Sequence, residues 1–175
     1  MNNENLQEMN QKEIEQNHIE VQSENDELEE NEDNQYVIFK IEGQDYGIEI
    51  EYVHEIDRLK EVVICPVPKA PEYVEGIINL RGEVVPVIDL RKKLGLPERE
   101  AGRETRILIV KMENKTIGLL VDMVLKVLNI DEKYINGTPE EIKDVNTRFF
   151  SGIVQMDEML IFLVNIKEIL GSEEE

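Results

Sequence analysis

The chain has 175 residues, of which 33% are charged and 41% hydrophobic, and its formal net charge is −20. This charge disfavours nucleic acid and anionic membrane surfaces as partners, because both are bound mainly through Lys and Arg side chains. The single cysteine, Cys65, excludes an intrachain disulfide, and the longest apolar run, "MLIFLV", is too short to cross a membrane. We therefore expect a cytoplasmic protein with protein partners, in which Cys65 is a small buried side chain.

Residues 1–34 form a separate compositional region. They contain twelve acidic residues, one lysine (Lys12) and few apolar positions, the reverse of a signal peptide. Such a segment cannot bury enough apolar surface to offset the entropy of ordering it, so the composition predicts a disordered acidic tail. It acts either as a solvated leader or as an acidic docking segment. Residues 172–175 form a second, short acidic tail.

From Tyr36 onward the pattern is typical of β-strands. The stretch "YVIFKIEGQDYGIEI" predicts two strands joined by a turn at Gly43, and "RILIVKMENKTIGLLVD" predicts the same plan. Four further apolar strands are predicted at "GIINL", "EVVPVIDL", "SGIVQM" and "MLIFLVNI". The pieces "RKKLG" and "KEILG" predict two short helices that each end at a glycine.

The two halves of the body repeat one another. A shift of 71 residues aligns "VIFKIEGQDYGIEIEYVHEI" with "LIVKMENKTIGLLVDMVLKV" without a gap, and Gly47 then matches Gly118. A shift of 76 residues aligns "GIINLRGEVVPVIDLRKKLG" with "GIVQMDEMLIFLVNIKEILG", and Gly76 then matches Gly152. Agreement at glycines and at the capped helix indicates a duplicated unit, with halves at about residues 36–95 and 107–171.

Each half supplies four or five short strands and one helical turn. Closing such strands into a barrel removes their exposed edges. The predicted fold is mainly β, with two small five-stranded β-barrels packed side by side and a few short helices. The sequence leaves open whether strands are exchanged between the two barrels.

The chemistry of an enzyme is not evident in the sequence. There is no phosphate-binding loop, no dinucleotide-binding glycine pattern, no nucleophile elbow and no metal-ligand spacing. His54 is the one histidine beyond the tail, and its neighbours Glu55 and Asp57 favour an ordinary surface imidazole. We therefore predict no catalytic residue, no metal and no cofactor.

The two halves differ most at one hairpin tip. Arg81-Gly82 in the first half is replaced by Asp157-Glu158 in the second. Gly82 suits the positive φ of a tight turn, and Pro86 lacks an N–H, so the strand that follows is predicted to be an edge or bulged strand. Arg81 then either presents a contact surface or pairs with a nearby acid, such as Glu55 or Asp89, to fix the turn. The two readings are compatible.

A family resemblance rests on these same stretches. The sequence "GIINLRGEVVPVIDLRKKLGL", preceded by "FKIEGQDYGIEIEYVHEI" and followed by "SGIVQMDEMLIFLVNIKEIL", resembles the CheW family of chemotaxis coupling proteins over about residues 35–171. The resemblance implies a pair of small five-stranded, SH3-like barrels. It also implies a non-catalytic adaptor that couples transmembrane chemoreceptors to the histidine kinase CheA. Since the chain has no further sequence for receiver or kinase segments, we expect a stand-alone member rather than a CheV or CheA protein.

The resemblance also implies site residues, partners and location. The receptor-binding groove would comprise Val53, Glu55, Asn79, Leu80, Arg81, Gly82, Val84, Asp122 and Val124. The kinase-facing residues would be Ile48, Ile50 and Gly76. The implied partners are the cytoplasmic tip of methyl-accepting chemoreceptors and the regulatory domain of CheA, with the protein recruited from the cytoplasm to receptor arrays. The alternatives are an adaptor of a non-flagellar chemosensory pathway and, less in keeping with the residues, a small barrel enzyme that binds a metabolite.

Overall fold

The structure is a computed structural model that describes residues 34–140 and 147–171. The predicted acidic tail, apart from Asn34, and residues 172–175 lie outside these ranges. The described strands are, in chain order, β1 (Gln35–Ile41), β2 (Gln44–Glu49), β3 (Val53–Arg58), β4 (Val74–Leu80), β5 (Glu83–Asp89), β6 (Arg106–Met112), β7 (Lys115–Val121), β8 (Met123–Asn129), β9 (Ile135–Asn136), β10 (Phe150–Met156) and β11 (Met159–Val164). The described α-helices are α1 (Leu90–Lys93) and α2 (Ile166–Gly171).

The strands form two sheets. The six-stranded sheet has the spatial order β8, β1, β2, β11, β10, β9, and the five-stranded sheet has the order β3, β6, β7, β5, β4. Most neighbours are antiparallel, but β2 pairs with β11, and β7 with β5, in parallel. The predicted mainly β class, with two small sheets and a few short helices, is confirmed. The strand count differs in one respect, because β9 adds a sixth strand to one sheet.

The two halves of the chain exchange their leading hairpins. The hairpin β1–β2 of the first half pairs with β8 and β11 of the second half. The hairpin β6–β7 of the second half pairs in the same way with β3 and β5 of the first half. The sequence left this exchange open, and the structure shows that it is reciprocal. Neither sheet is complete without strands from both halves.

The exchange produces three hydrophobic clusters. A central cluster lies between the sheets, and each sheet also encloses a cluster of its own. Strand side chains alternate between faces, so the leading strands are buried on both. The central cluster includes Val37, Phe39 and Ile41 of β1 with Leu108 and Val110 of β6. The opposite faces place Tyr36 and Ile38 in the core of the six-stranded sheet, and Ile107 and Ile109 in that of the five-stranded sheet.

The sixth strand has a counterpart in the other sheet. Strand β9 places Asn136 opposite Ile153, and an isolated bridge places Cys65 opposite Ile77 at the equivalent positions. The two sheets therefore share one topology. The prediction that Cys65 is buried is wrong: its side chain is exposed, because only its backbone takes part in the bridge.

Two further expectations need correction. Strands β3 and β8 were not predicted, since "VHEIDR" and "MVLKVLN" mix exposed charged and apolar side chains. Strand β5, predicted as an edge or bulged strand from Pro86, lies between β7 and β4. Its pairing with β7 begins only at Val87, so Pro86 falls in the half of β5 that pairs with β4 alone. The missing N–H of Pro86 therefore costs no bond to β7.

The close approach behind the Cys65 bridge gives the first testable prediction. Gly76 has φ 153°, and a Cβ atom there would overlap the carbonyl oxygen of Cys65. Gly76→Ala is expected to lower the free energy of unfolding by about 3 kcal/mol, through overpacking and an unfavourable φ. Urea denaturation measures the change.

The matched control for that substitution is Gly102→Ala, because a Cβ at Gly102 meets nothing within 4 Å. It should change the free energy of unfolding by no more than about 0.5 kcal/mol. Equal effects at the two glycines would show that the contact with Cys65 does not constrain position 76.

Candidate functional site

The tip of the β4–β5 hairpin is a tightly held turn. Arg81 has φ 51° and Gly82 has φ 88°, the pair of positive values that a type I′ turn requires. The side-chain Oδ1 of Asn79 accepts a hydrogen bond of 2.8 Å from the backbone N–H of Gly82. A left-handed conformation costs a non-glycine residue about 1 kcal/mol. The turn thus keeps Arg81 in a conformation that an arginine rarely adopts.

Arg81 forms an ion pair with Glu55. Its Nη2 donates to the Glu55 Oε2 at 2.9 Å. Glu55 lies on β3 and Arg81 follows β4, and these are the opposite edges of the five-stranded sheet. The ion pair therefore joins the two edges of a sheet that curls around its own core. Of the two acids suggested by the sequence, Glu55 is the partner, whereas Asp89 accepts from the backbone N–H groups of Arg91 and Lys92.

The arginine remains accessible in spite of this pairing. The side chain of Arg81 is 74% exposed, against 21% for Glu55. A guanidinium has five N–H donors in a planar fork, and Glu55 uses one of them in the described structure. Arg81 can thus hold Glu55 and still present several donors to a carboxylate or a backbone carbonyl of a partner. We call Glu55 together with residues 79–82 the Arg81 tip.

The other predicted groove residues are only partly brought together. Val84 is 64% exposed and lies opposite Asn79, directly beside the Arg81 tip. Leu80 is half-buried against the core of the five-stranded sheet. Val53 and Val124 are half-buried against the central cluster, at equivalent positions of different sheets. A groove that includes all of them stays a prediction.

Asp122 has a structural partner that the sequence did not reveal. Its Oδ2 accepts from the backbone N–H of Glu42 at 2.9 Å and from the guanidinium of Arg91. Arg91 also pairs with the Glu42 carboxylate and donates to the carbonyl of Pro97 at 3.1 Å, and it is 3% exposed. We call Arg91, Glu42 and Asp122 the buried arginine cluster. Nothing in "LRKKLG" marks which of its three cations is buried.

The buried arginine cluster connects three parts of the fold. Glu42 is at the turn of the exchanged β1–β2 hairpin, Asp122 lies where the chain crosses from β7 to β8, and Arg91 is in α1. Burial lowers the pKa of Arg91, but the hydrogen bonds that Arg91 donates to Asp122 and Glu42 outweigh burial, and the net pKa is raised. Asp122 therefore takes part in hydrogen bonds between the two sheets. This argues against a role for Asp122 as a free receptor-binding group.

The kinase-facing residues inferred from the resemblance differ in exposure. Ile48 is 1% exposed in the central cluster, and Gly76 is buried behind the backbone of Cys65. These two residues therefore offer little surface for direct contact. Ile50 is half-buried against the central cluster. Ile48 lies on β2 and Gly76 on β4, in different sheets, and a kinase-facing surface that includes all three stays a prediction.

Two carboxylates, those of Glu55 and Asp57, lie close together next to Arg81. Burial raises the pKa of Asp57, and the charge of Glu55 and a hydrogen bond with it raise that pKa further. Arg81 acts in the opposite direction. The Arg81 tip therefore has a second acid, Asp57, beside its own Glu55, and the two carboxylates repel one another.

Other features bear on the chemical expectations. His54 is exposed, as its sequence context predicted. Within residues 34–140 and 147–171, no group of three or more His, Cys, Asp or Glu side chains is arranged to hold a metal ion. None of the helices in those ranges has both the length and the apolar character needed to span a bilayer.

The buried arginine cluster gives a stability prediction. Arg91→Ala removes a buried cation and leaves Glu42 and Asp122 facing each other, so we expect the free energy of unfolding to fall by about 3 kcal/mol. The control is Lys167→Ala, the equivalent position in the second half, which is exposed. It should shift the value by less than about 0.5 kcal/mol, as measured by thermal or urea unfolding. Equal losses would mean that the cluster contributes nothing of its own.

The raised pKa of Asp57 gives a pH prediction. A carboxyl whose pKa is higher in the folded state favours folding when it is protonated, and this advantage is lost as the pH rises through the folded pKa. Asp57→Asn removes the charge that Glu55 repels, so the variant should be more stable than the wild type at pH 7. The difference should shrink as the pH falls through the raised pKa of Asp57 toward its ordinary value of 3.8. A gain that is the same at pH 7 and in this lower range would contradict the assignment to the charge of Asp57.

The comparisons with known proteins agree on one family. Residues 35–174 match the family model described as a CheW-like domain. The chain is 34% identical over 137 residues to the chemotaxis protein CheW of Bacillus subtilis, covering 78% of this chain and 86% of that protein. It is 28% identical to the protein FrzA of Myxococcus xanthus, covering 78% of this chain and 84% of that protein.

A solved structure shows the same fold. The scaffolding protein TtCheW from Thermoanaerobacter tengcongensis superposes with a TM-score of 0.69 at 38% sequence identity. The match covers 76% of this chain and 84% of that one. Sequence and structure together show that the chain belongs to the CheW-like family.

Proposed function

We propose that this chain is a non-catalytic chemotaxis adaptor that couples transmembrane chemoreceptors to the histidine kinase CheA. Its relatives include proteins named for chemotaxis and a solved protein described as a scaffold. The observation that carries the proposal is the Arg81 tip, in which a strained turn and an ion pair hold an exposed arginine in one orientation. Such a side chain loses little entropy when a partner binds it.

The receptor contact would centre on Arg81, Glu55 and Val84. Val84 supplies exposed apolar surface beside the charged tip, a combination typical of an interface anchor with a polar rim. A helical receptor tip could lay an apolar face against Val84 while Arg81 fixes its register. Arg81 would then contact the receptor directly or act by holding Glu55 in place.

The kinase contact would lie elsewhere on the molecule, facing the regulatory domain of CheA. Of the residues first considered, Ile50 alone keeps accessible side-chain surface, while Ile48 and Gly76 would act by shaping the strands around it. A cytoplasmic chain with these two contacts would be recruited to receptor arrays at the membrane. The similarity to FrzA supports a second possibility for the same scaffold, an adaptor of another chemosensory pathway.

Charge substitutions at the tip test the receptor contact. Arg81→Glu places a carboxylate beside Glu55 and removes the exposed cation, so binding to receptor-containing vesicles should weaken at least about tenfold. Co-sedimentation of the purified chain with the vesicles, with and without CheA, gives the measurement. Asp157→Arg, at the equivalent tip of the second half, is the matched control and should bind as the wild type does.

The double substitution Glu55→Arg with Arg81→Glu separates the two roles of the arginine. It restores an ion pair across the sheet edges but reverses its direction. Recovery of binding would show that the contact needs only an ion pair across the sheet edges, and continued loss would show that it needs the side chain of Arg81, Glu55 or both. If Arg81→Glu alone co-sediments like the wild type, the Arg81 tip is not part of the receptor contact.

A further inference from the structure

An apolar cleft opens between two strands of the five-stranded sheet. It has a volume of about 500 Å³ and lies where the outer half of β5 faces the start of β7, with the end of α2 behind it. The apolar side chains that line it include Tyr73, Val74, Val84, Pro86, Ile117 and Leu170. Glu55 and Arg81 are not among the lining residues.

The equivalent place in the six-stranded sheet is filled by aromatic rings. The repeat aligns Val74, Pro86 and Ile117 with Phe150, Phe162 and Tyr46. The Tyr46 ring centroid lies 6.0 Å from those of both phenylalanines, which are 5.4 Å from each other. We call these three rings the aromatic plug. The cleft is thus the place at which one sheet has three rings and the other has a valine, a proline and an isoleucine.

The strands also separate at the cleft. In the six-stranded sheet, parallel pairing includes Phe162 opposite Tyr46. In the five-stranded sheet the equivalent pairing starts two positions later than in the six-stranded sheet, at Val87 opposite Gly118, so Pro86 and Ile117 lie outside it. Each strand keeps its antiparallel partner on the other side. The cleft is therefore bordered by strand edges that are unpaired on the side facing it.

The strand edge is covered in the six-stranded sheet, and the equivalent residue of the five-stranded sheet is used differently. In the six-stranded sheet, Gln44 Nε2 donates to the carbonyl of Leu160 at 2.7 Å. Its counterpart is Lys115, whose Nζ donates to the carbonyl of Leu170 at 3.3 Å, on the far side of the cleft. The carbonyl of Val84 is equivalent to that of Leu160, but Lys115 does not donate a hydrogen bond to it.

The charges at the rim favour an acidic ligand. Lys93 and Lys115 line the cleft, with Glu83 as the one carboxylate in the lining. The Lys93 Nζ lies 3.9 Å from the centroid of the Tyr73 ring. The lining thus has a formal charge of +1 from two lysines and one glutamate, in a chain whose net charge is −20. It is therefore complementary to a segment that carries carboxylates.

We propose that the cleft is a docking site for an extended, acidic segment of a partner protein, which inserts one aromatic side chain. The aromatic plug of the six-stranded sheet shows which kind of side chain this scaffold accommodates. Unpaired strand edges suit an extended backbone, which needs external hydrogen bonds, rather than a helix, which bonds to itself. This site lies beside the Arg81 tip and shares Val84 with the proposed receptor contact, but it does not depend on whether the partner is a receptor or a kinase.

Peptide titration of the full chain tests the docking site. The probe is the acetylated, amidated pentapeptide Glu-Val-Phe-Val-Glu, and the control peptide has Ala in place of Phe. We expect saturable NMR shift changes at Val84, Ile117 and Leu170 with the Phe peptide. A buried Phe contributes most of the apolar contact. The Ala peptide should therefore bind at least about tenfold more weakly than the Phe peptide.

Substitutions in the chain locate the binding. The triple variant Val74→Phe, Pro86→Phe and Ile117→Tyr copies the aromatic plug. It should abolish the shift changes that the Phe peptide causes, while its spectrum otherwise remains that of a folded protein. If it does not fold, Val84→Glu on the exposed rim should weaken Phe-peptide binding several-fold, and Leu160→Glu at the equivalent position should not.

Three results would overturn the proposal. The first is equal or absent binding of the two peptides, and the second is unchanged binding by both the filled and the Val84→Glu variants. The third is a wild-type dimer in sedimentation that becomes a monomer in the filled variant, which would identify a second copy of the chain as the occupant. Because neither receptor nor kinase enters the titration, its outcome is independent of the vesicle assay for Arg81.

Discussion

The reciprocal exchange of the leading hairpins is the constraint on which the rest of the structure depends. It places β1 and β6 at the centre of the molecule, where both faces of each strand are buried. Neither sheet can lose its exchanged hairpin without exposing two apolar faces to water, at about 25 cal/mol for each Å² of apolar surface. The two sheets therefore behave as one folding unit. The buried arginine cluster adds a directional contact at the same joint, because Glu42, Arg91 and Asp122 come from three separate elements.

The backbone of the two halves is repeated, whereas the chemistry of their surfaces is not. Glu55 and Arg81 correspond to Lys126 and Asp157, so the charges are reversed between the sheets. Within residues 34–140 and 147–171, no ion pair joins Lys126 to Asp157, and the salt bridge of the Arg81 tip is special to one half. The aromatic plug is special to the six-stranded sheet, to which both halves contribute strands. A duplicated scaffold has thus kept its strand topology and changed the charged and aromatic side chains at equivalent positions.

Much of this fold could be predicted from the sequence, since the information lies in local patterns. Alternating apolar residues gave the hairpins, and the glycine matches gave the repeat. Gly76 and Gly152 proved to serve the same close backbone approach. The edge strands β3 and β8 were missed because one of their faces meets solvent and carries charge. Other features depend on contacts between distant segments, which no spacing rule encodes. These are the burial of Arg91, the exposure of Cys65 and the hydrogen bonds of Asp122 with Glu42 and Arg91. The Arg81–Glu55 contact was among the expected pairings because the hairpin tip and its candidate acids could be named individually.

An adaptor acts by keeping its partners at a fixed separation, and here that separation is a property of the central cluster. The Arg81 tip belongs to the five-stranded sheet, and any second contact on the six-stranded sheet is positioned relative to it by side chains such as Phe39 and Leu108. Under the proposed function, a core substitution that loosens this packing would impair coupling without touching a contact residue. The backbone at Arg81 is not what distinguishes this tip, because Glu42, Glu113 and Asp157 have a similar positive φ at the other hairpin turns. The difference is the ion pair with Glu55, which ties the Arg81 tip to the opposite edge of its sheet and so to the same packing.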